Sequence, residues 1–153
     1  MTFGRWGQAL ILLGWASMGC AAGNAGQRST SASRDTRANG ATLAQIYFWR
    51  AKPGKLEEYT RYIRERAEPI DAEAQRSGAF VSVTTYMASD TTVPWTHMRV
   101  FALRDSTQLR GLSEALTAAG VRLEPDSVKR RQQSEYSATL RDRVGAVVVE
   151  LVR

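Results

Sequence analysis

His97 and Arg99 stand two residues apart in the run 95–103, WTHMRVFAL, so on an extended chain they point the same way. An arginine presents a planar fork of donors that fits a carboxylate or phosphate. A histidine changes charge near neutral pH. Together they could clamp an anion and move a proton. Tyr47 and Trp49 alternate in the same manner in the run 43–51, LAQIYFWRA, and Tyr86 does so in 80–88. Tyr47, Trp49, Tyr86, Trp95, His97 and Arg99 form the candidate ligand-binding set, because aromatic surface mixed with a few hydrogen-bonding groups is the material of small-molecule pockets. The competing reading has His97 and Arg99 bonding across a dimer interface or to cross-strand neighbours.

Other chemistry finds no support in the residue types. A single His leaves a metal site without a second imidazole, and a single Cys excludes a disulfide framework and a Cys-rich zinc site. There is no Gly-rich phosphate loop, no Gly-x-Ser-x-Gly elbow and no Cys/His nucleophile pair. The carboxylates Glu57-Glu58 and Glu68/Asp71 read as solvated helix faces, since an acid/base pair would have to converge in a cleft. No metal and no cofactor are therefore expected, and no catalytic centre is legible. The net charge of +6 falls to +3 from Leu43 onward, with 17 Lys and Arg against 14 Asp and Glu. No basic run is interleaved with aromatics, so nucleic acid is not an expected partner.

The lone Cys20 has an address instead. Residues 1–19 begin with Arg5 and continue with 13 uncharged, mainly apolar residues from Trp6 to Met18. That run falls short of the ~20 residues that span a bilayer and suits a signal peptide. Ser17-Met18-Gly19-Cys20 resembles a lipoprotein lipobox, departing from it at Ser17 and Met18. Lipidation at Cys20 is the favoured reading, with cleavage near Ala22 and a soluble exported form as the alternative. Residues 20–42 hold small and polar side chains that cannot offset the entropy of ordering, so they read as a flexible tether. The folded domain is expected over 43–153. Contact with the membrane is expected only through the lipid.

The elements that would position the six candidates follow from periodicity. Residues 43–51 are a strand closed by the Lys52-Pro53-Gly54 turn. Leu56, Tyr59, Ile63, Ala67, Ile70 and Ala74 recur every three or four residues and predict a helix, disturbed at Pro69 and ended by Gly78. The runs 80–88 and 95–103 form a hairpin. Asp105 or Ser106 caps a second helix with Leu109, Leu112, Leu116 and Ala119 on its buried stripe and Gly120 as its stop. Residues 127–143 are polar with helical spacing. Ala146 to Val152 fits either a closing strand or a helix, and its valines favour the strand. Sorting each strand by alternation puts Ile46, Phe48, Val81, Val83, Met87, Met98, Val100 and Ala102 under the helices. It leaves the six candidates on the other face.

This order, β-α-β-β-α and then a helical segment and a strand, predicts an α+β ferredoxin-like sandwich, an antiparallel sheet with helices on one face. The stretch IYFWRAKPGKLEEYTRY resembles the opening of dimeric α/β-barrel proteins, NIPSNAP-type domains in particular. The run WTHMRVFALRDSTQLRGL is similar in layout to the same superfamily, which includes antibiotic-biosynthesis-type monooxygenases. That resemblance implies a homodimer whose sheets face each other around a pocket. Two functions follow as expectations: an exported binding domain that uses the polar-aromatic sheet face, or a cofactor-independent monooxygenase- or isomerase-like enzyme using His97 and Arg99. The binding domain is favoured.

Overall fold

The computed structural model describes residues 40–152. The expected signal peptide, Cys20 and all but the last three residues of the expected tether lie outside the described residues. The chain runs β1 (Leu43–Ala51), α1 (Leu56–Tyr62), a π-helical turn (Ile63–Ala67), α2 (Glu68–Arg76), β2 (Ser82–Met87), β3 (His97–Leu103), α3 (Ser106–Leu123), α4 (Ser127–Leu140) and β4 (Arg141–Glu150). The strands form one sheet in the order β2-β3-β1-β4, antiparallel throughout. This is the expected ferredoxin-like layout, with β1 central and the last strand beside it at an edge.

Local chemistry explains most boundaries. The Lys55 N–H bonds the Lys52 carbonyl at 2.9 Å across a turn in which Gly54 takes φ +73°, a region that Cβ-bearing residues avoid. Pro69 lacks the N–H that a regular helix would use. The chain meets it with a five-residue π turn immediately before α2, where the Glu68 N–H reaches back to the Ile63 carbonyl. Asp105 caps α3 by accepting from the Thr107 and Gln108 N–H groups at 2.8 and 3.0 Å. Gly120 does not stop α3. The helix continues to Leu123 and ends where Pro125 forces Glu124 into an extended conformation. Asp126 caps α4 in the same way as Asp105 caps α3. The closing segment is a strand, and it begins at Arg141, five residues before the expected valine run.

The sheet faces are the reverse of those expected. Phe101 and Leu103, with Tyr47 and Val83 beside them, pack against Ala74, Leu112 and Ala119 of the helices. Trp49 and Ala51 join Tyr59, Ile63 and Leu140 in a second cluster. Tyr47, Trp49, His97, Arg99 and Phe101 therefore lie under the helices. Ile46, Phe48, Met98 and Val100 alternate with them and take the opposite face. Strand β2 is the exception and takes the sides expected of it. Val83 pairs with Phe101 and Met87 with His97, so both belong to the helix side, while Tyr86 pairs with Met98 on the other. Alternation sorts residues into two sets but does not say which set a helix covers. The aromatic set is the one in contact with helix residues, Phe101 with Ala74, Leu112 and Ala119, and Trp49 with Tyr59, Ile63 and Leu140.

Candidate functional site

His97 is fully buried at the end of β3. Its Nε2 lies 3.0 Å from Thr60 Oγ1 and its Nδ1 lies 3.0 Å from Thr96 Oγ1. The Thr60 hydroxyl donates its proton to the Leu56 carbonyl at 2.8 Å, so it accepts from His97. That assigns the proton to Nε2 and makes Nδ1 an acceptor from Thr96. Burial pushes the imidazole below its usual range, which keeps it neutral. Tyr59 stacks edge-on against it at 4.6 Å. The ring staples β3 to α1 and is not poised for proton transfer.

Arg99 is placed differently. A cavity of about 750 Å³ opens between the helix-facing side of the sheet and the helices. Its floor comes from Tyr47 and Trp49 of β1, Arg99 and Phe101 of β3, and Arg141 and Arg143 of β4. Ala67, Ile70 and Asp71 wall one side. The roof is made mainly of small or polar residues: Ser113, Thr117 and Gly120 beside Leu116 on α3, and Gln133, Ser134, Ser137 and Ala138 on α4. These short side chains at helical spacing are why space remains there.

Four guanidiniums, those of Arg99, Arg130, Arg141 and Arg143, line this cavity against one carboxylate, Asp71. Arg141 lies over the Trp49 ring, its Cζ 3.5 Å from the centroid, and its Nε donates to Ser137 Oγ at 3.0 Å. Arg143 sits over Tyr47 at 5.1 Å and Arg99 over Phe101 at 5.2 Å. Arg130 spends its Nη1 on the Glu124 and Pro125 carbonyls. Only Arg99 has a carboxylate partner among the described residues, Asp71, and the two side chains are 12% and 5% exposed. The Arg99 Nε is buried and has no partner there. Desolvation pushes the Asp71 carboxyl up to about 6 while Arg99 pulls the other way. Burial likewise lowers the Arg141 guanidinium, and Arg99 repels it. The site thus holds more positive charge than its own groups balance, in surroundings that water screens poorly.

Of the six candidate residues, Tyr47, Trp49 and Arg99 meet in the cavity, and His97 lies beyond its wall under Tyr59. Tyr86 and Trp95 go to the opposite face, where Trp95 packs on Phe48 with 5.9 Å between ring centroids. That face also carries Ile46, Met98, Val100, Val147 and Val149, and no helix of the described residues covers it. Asp71 was expected on a solvated helix face and is buried instead. It follows Tyr59, Ile63 and Ala67 at intervals of four, which is the buried stripe of its own helix. Arg130, Gln133, Ser134, Ser137 and Ala138 also fall on one helical face, a largely polar stripe in the sequence that marks the cavity side of α4. Among the described residues, no three His, Cys, Asp or Glu are grouped to hold a metal ion.

No protein-family model matches the chain, and no curated protein matches it significantly. Among solved structures it is similar to HapK from Hahella chejuensis, with 12% identity over 72% of this chain and 92% of that one and a TM-score of 0.49. It is similar to PA3566 from Pseudomonas aeruginosa at 19% identity, 75% and 96% coverage and 0.44. A dimeric ferredoxin-like protein from an uncultured marine organism aligns at 11% identity, 78% and 94% coverage and 0.47. At such identities no residue role passes from those proteins to this one. The strand order and the helices on one side of the sheet make the chain a ferredoxin-like α+β domain.

Proposed function

We propose that the domain binds a small organic anion in the cavity between sheet and helices. The observation that carries this reading is the excess of guanidinium over carboxylate on an aromatic floor. Arg99, Arg141 and Arg143 each lie over an aromatic ring, so less side-chain entropy is lost when an acid docks. The apolar part of the ligand would lie against Ile70, Leu116 and Phe101, and its charge against the floor guanidiniums of Arg99, Arg141 and Arg143. A cofactor-independent enzyme built on His97 fits the geometry less well, because that ring is neutral, saturated by two threonines and outside the cavity. The NIPSNAP-type likeness of the Lys52–Tyr59 stretch belongs to the same reading, as a turn and helix start without chemistry of its own.

Titration calorimetry with benzoate, hexanoate and inorganic phosphate tests the proposal. Arg143 is exposed, so Arg143→Ala leaves the fold intact. Loss of one charge-assisted bond of ~1.5–3 kcal/mol weakens carboxylate binding roughly 10- to 100-fold. Absence of binding by both carboxylates at millimolar concentration refutes the reading, whether or not phosphate binds.

The export reading is part of the proposal. A lipid at Cys20 followed by a polar tether would display the cavity at the envelope. Metabolic labelling with a fatty-acid analogue, wild type against Cys20→Ala, decides it, and equal labelling of both ends it. A homodimer through the helix-free sheet face completes the proposal, supported by the run of apolar side chains there.

A further inference from the structure

We infer that Asp71 is a built-in stand-in for the ligand's carboxylate: an incoming organic acid takes Arg99 from it, and Asp71 leaves the ion pair as a neutral carboxylic acid. This rests on the binding reading above and adds to it the class of ligand, a carboxylic acid, and a proton taken up on binding.

The geometry supplies the reason. Asp71 and Arg99 face each other in the cavity wall, both nearly sealed from water. Arg99 gives Asp71 its Nη2, while its Nε is without a partner and Phe101 backs the guanidinium. A ligand carboxylate that reaches this guanidinium comes to rest beside the Asp71 carboxylate. Two carboxylates brought together on one guanidinium repel each other where water screens poorly, which favours a proton on one of them. Asp71 is the group already close to that point, because burial holds its carboxyl at about 6 even with Arg99 beside it.

The surrounding groups leave it alone in this role. Glu68 lies on the same helix and adds negative charge near it. Arg141 and Arg143 approach from β4 and Arg130 from α4, and guanidiniums keep their charge across the working range. Tyr59 from α1 is pushed up to about 12 by burial and stays protonated, with Tyr62 beside it. The residues α3 contributes, Ser113, Leu116, Thr117 and Gly120, do not titrate. The step balances simply: the Arg99–Asp71 pair opens, an Arg99–ligand pair forms, and one solvent proton bonds to an Asp71 oxygen. Net charge in the site is unchanged.

Calorimetry on the full-length protein with benzoate as probe tests this, in three buffers of different ionisation enthalpy at pH 7.5. Wild type takes up close to one proton per benzoate, and its affinity falls roughly tenfold per pH unit above pH 6. In Asp71→Asn the uptake vanishes and the affinity becomes independent of pH. Benzoate binding with heat independent of buffer in wild type overturns the inference and leaves the binding reading standing. A pH slope retained in folded Asp71→Asn overturns it equally. Should Asp71→Asn fail to fold, the wild-type buffer series alone decides. No binding of any carboxylate removes the binding reading itself, and the inference falls with it.

Discussion

Replacing His97 by Ala separates a structural histidine from a catalytic one. The imidazole is wholly enclosed and makes two hydrogen bonds of 3.0 Å. Each contributes ~1 kcal/mol, and the void left by the ring adds a term like that of other large-to-small core changes, for a total of ~3–4 kcal/mol. Orphaned partners add little. Thr60 keeps the Leu56 carbonyl, and Thr96 keeps the Ala51 N–H at 2.8 Å and can turn its proton to the Trp49 carbonyl at 3.3 Å. For a domain of this size that corresponds to roughly 10–15 °C in Tm. The sign with pH follows from burial, which lowers the folded-state value below 6.5. The unfolded chain takes up a proton below 6.5 that the folded ring refuses, so wild type loses stability there as pH falls. His97→Ala lacks that loss. The gap between the two proteins is therefore widest above pH 7 and narrows towards pH 5, as urea denaturation at a series of pH values will show. Benzoate affinity at 25 °C stays within about twofold of wild type, since the ring lies outside the cavity. A gap under ~1 kcal/mol at pH 7.5, a gap that grows in acid, or abolished binding in a folded variant refutes the reasoning.

Asp71 gives the opposite pH pattern. Its carboxyl is raised from 3.8 to about 6, so its favourable contribution is complete below 3.8 and is lost as pH rises through about 6, roughly 3 kcal/mol in all. Wild type should lose that much relative to Asp71→Asn between pH 4 and 7 in paired denaturation curves, and a relative gain with pH contradicts the assignment. On the open sheet face, Phe48→Asp places a charge among Ile46, Val100 and Trp95. Light scattering should change from twice the monomer mass for wild type to the monomer mass, and a wild type already monomeric at tens of micromolar rejects the dimer.

Much of the scaffold was legible because its periods are strong. The stripe from Tyr59 to Ala74, the hairpin and the Asp105 cap each rest on interactions within a few residues. The failures share a longer range. Strand β1 carries large apolar groups on both sides, Ile46 and Phe48 against Tyr47 and Trp49, so its own pattern cannot tell floor from outer face. Val83 and Met87 of β2 share their face with Phe101 and His97 and not with Met98 and Val100, a register set across a hairpin whose loop is long. Arg141 to Gly145 shows no strand signature, because β4 there is specified by pairing with β1 and by Arg141 stacking on Trp49. Arg99, Tyr47 and Trp49 could be singled out by type. Asp71 could not, since a carboxylate in the first turn of a charged helix looks solvated until its arginine partner is placed.

The π turn before α2 bears on how the chain length can vary. Tyr59, Ile63, Ala67 and Asp71 are spaced by four each time, more than the 3.6 residues of an α-helical turn, and on a regular helix the drift would carry Asp71 away from Arg99. The widened turn absorbs the surplus, as a single inserted residue would require. Removing one residue from the exposed stretch Arg64–Arg66 would therefore return the segment to ordinary helix with the same downstream residues turned inward. It would also set Pro69 inside an uninterrupted helix, where its ring meets the carbonyl of the preceding turn at a cost of ~3 kcal/mol. The proline is thus tied to the extra residue: a chain shortened here keeps Asp71 in place without penalty only if Pro69 is replaced at the same time.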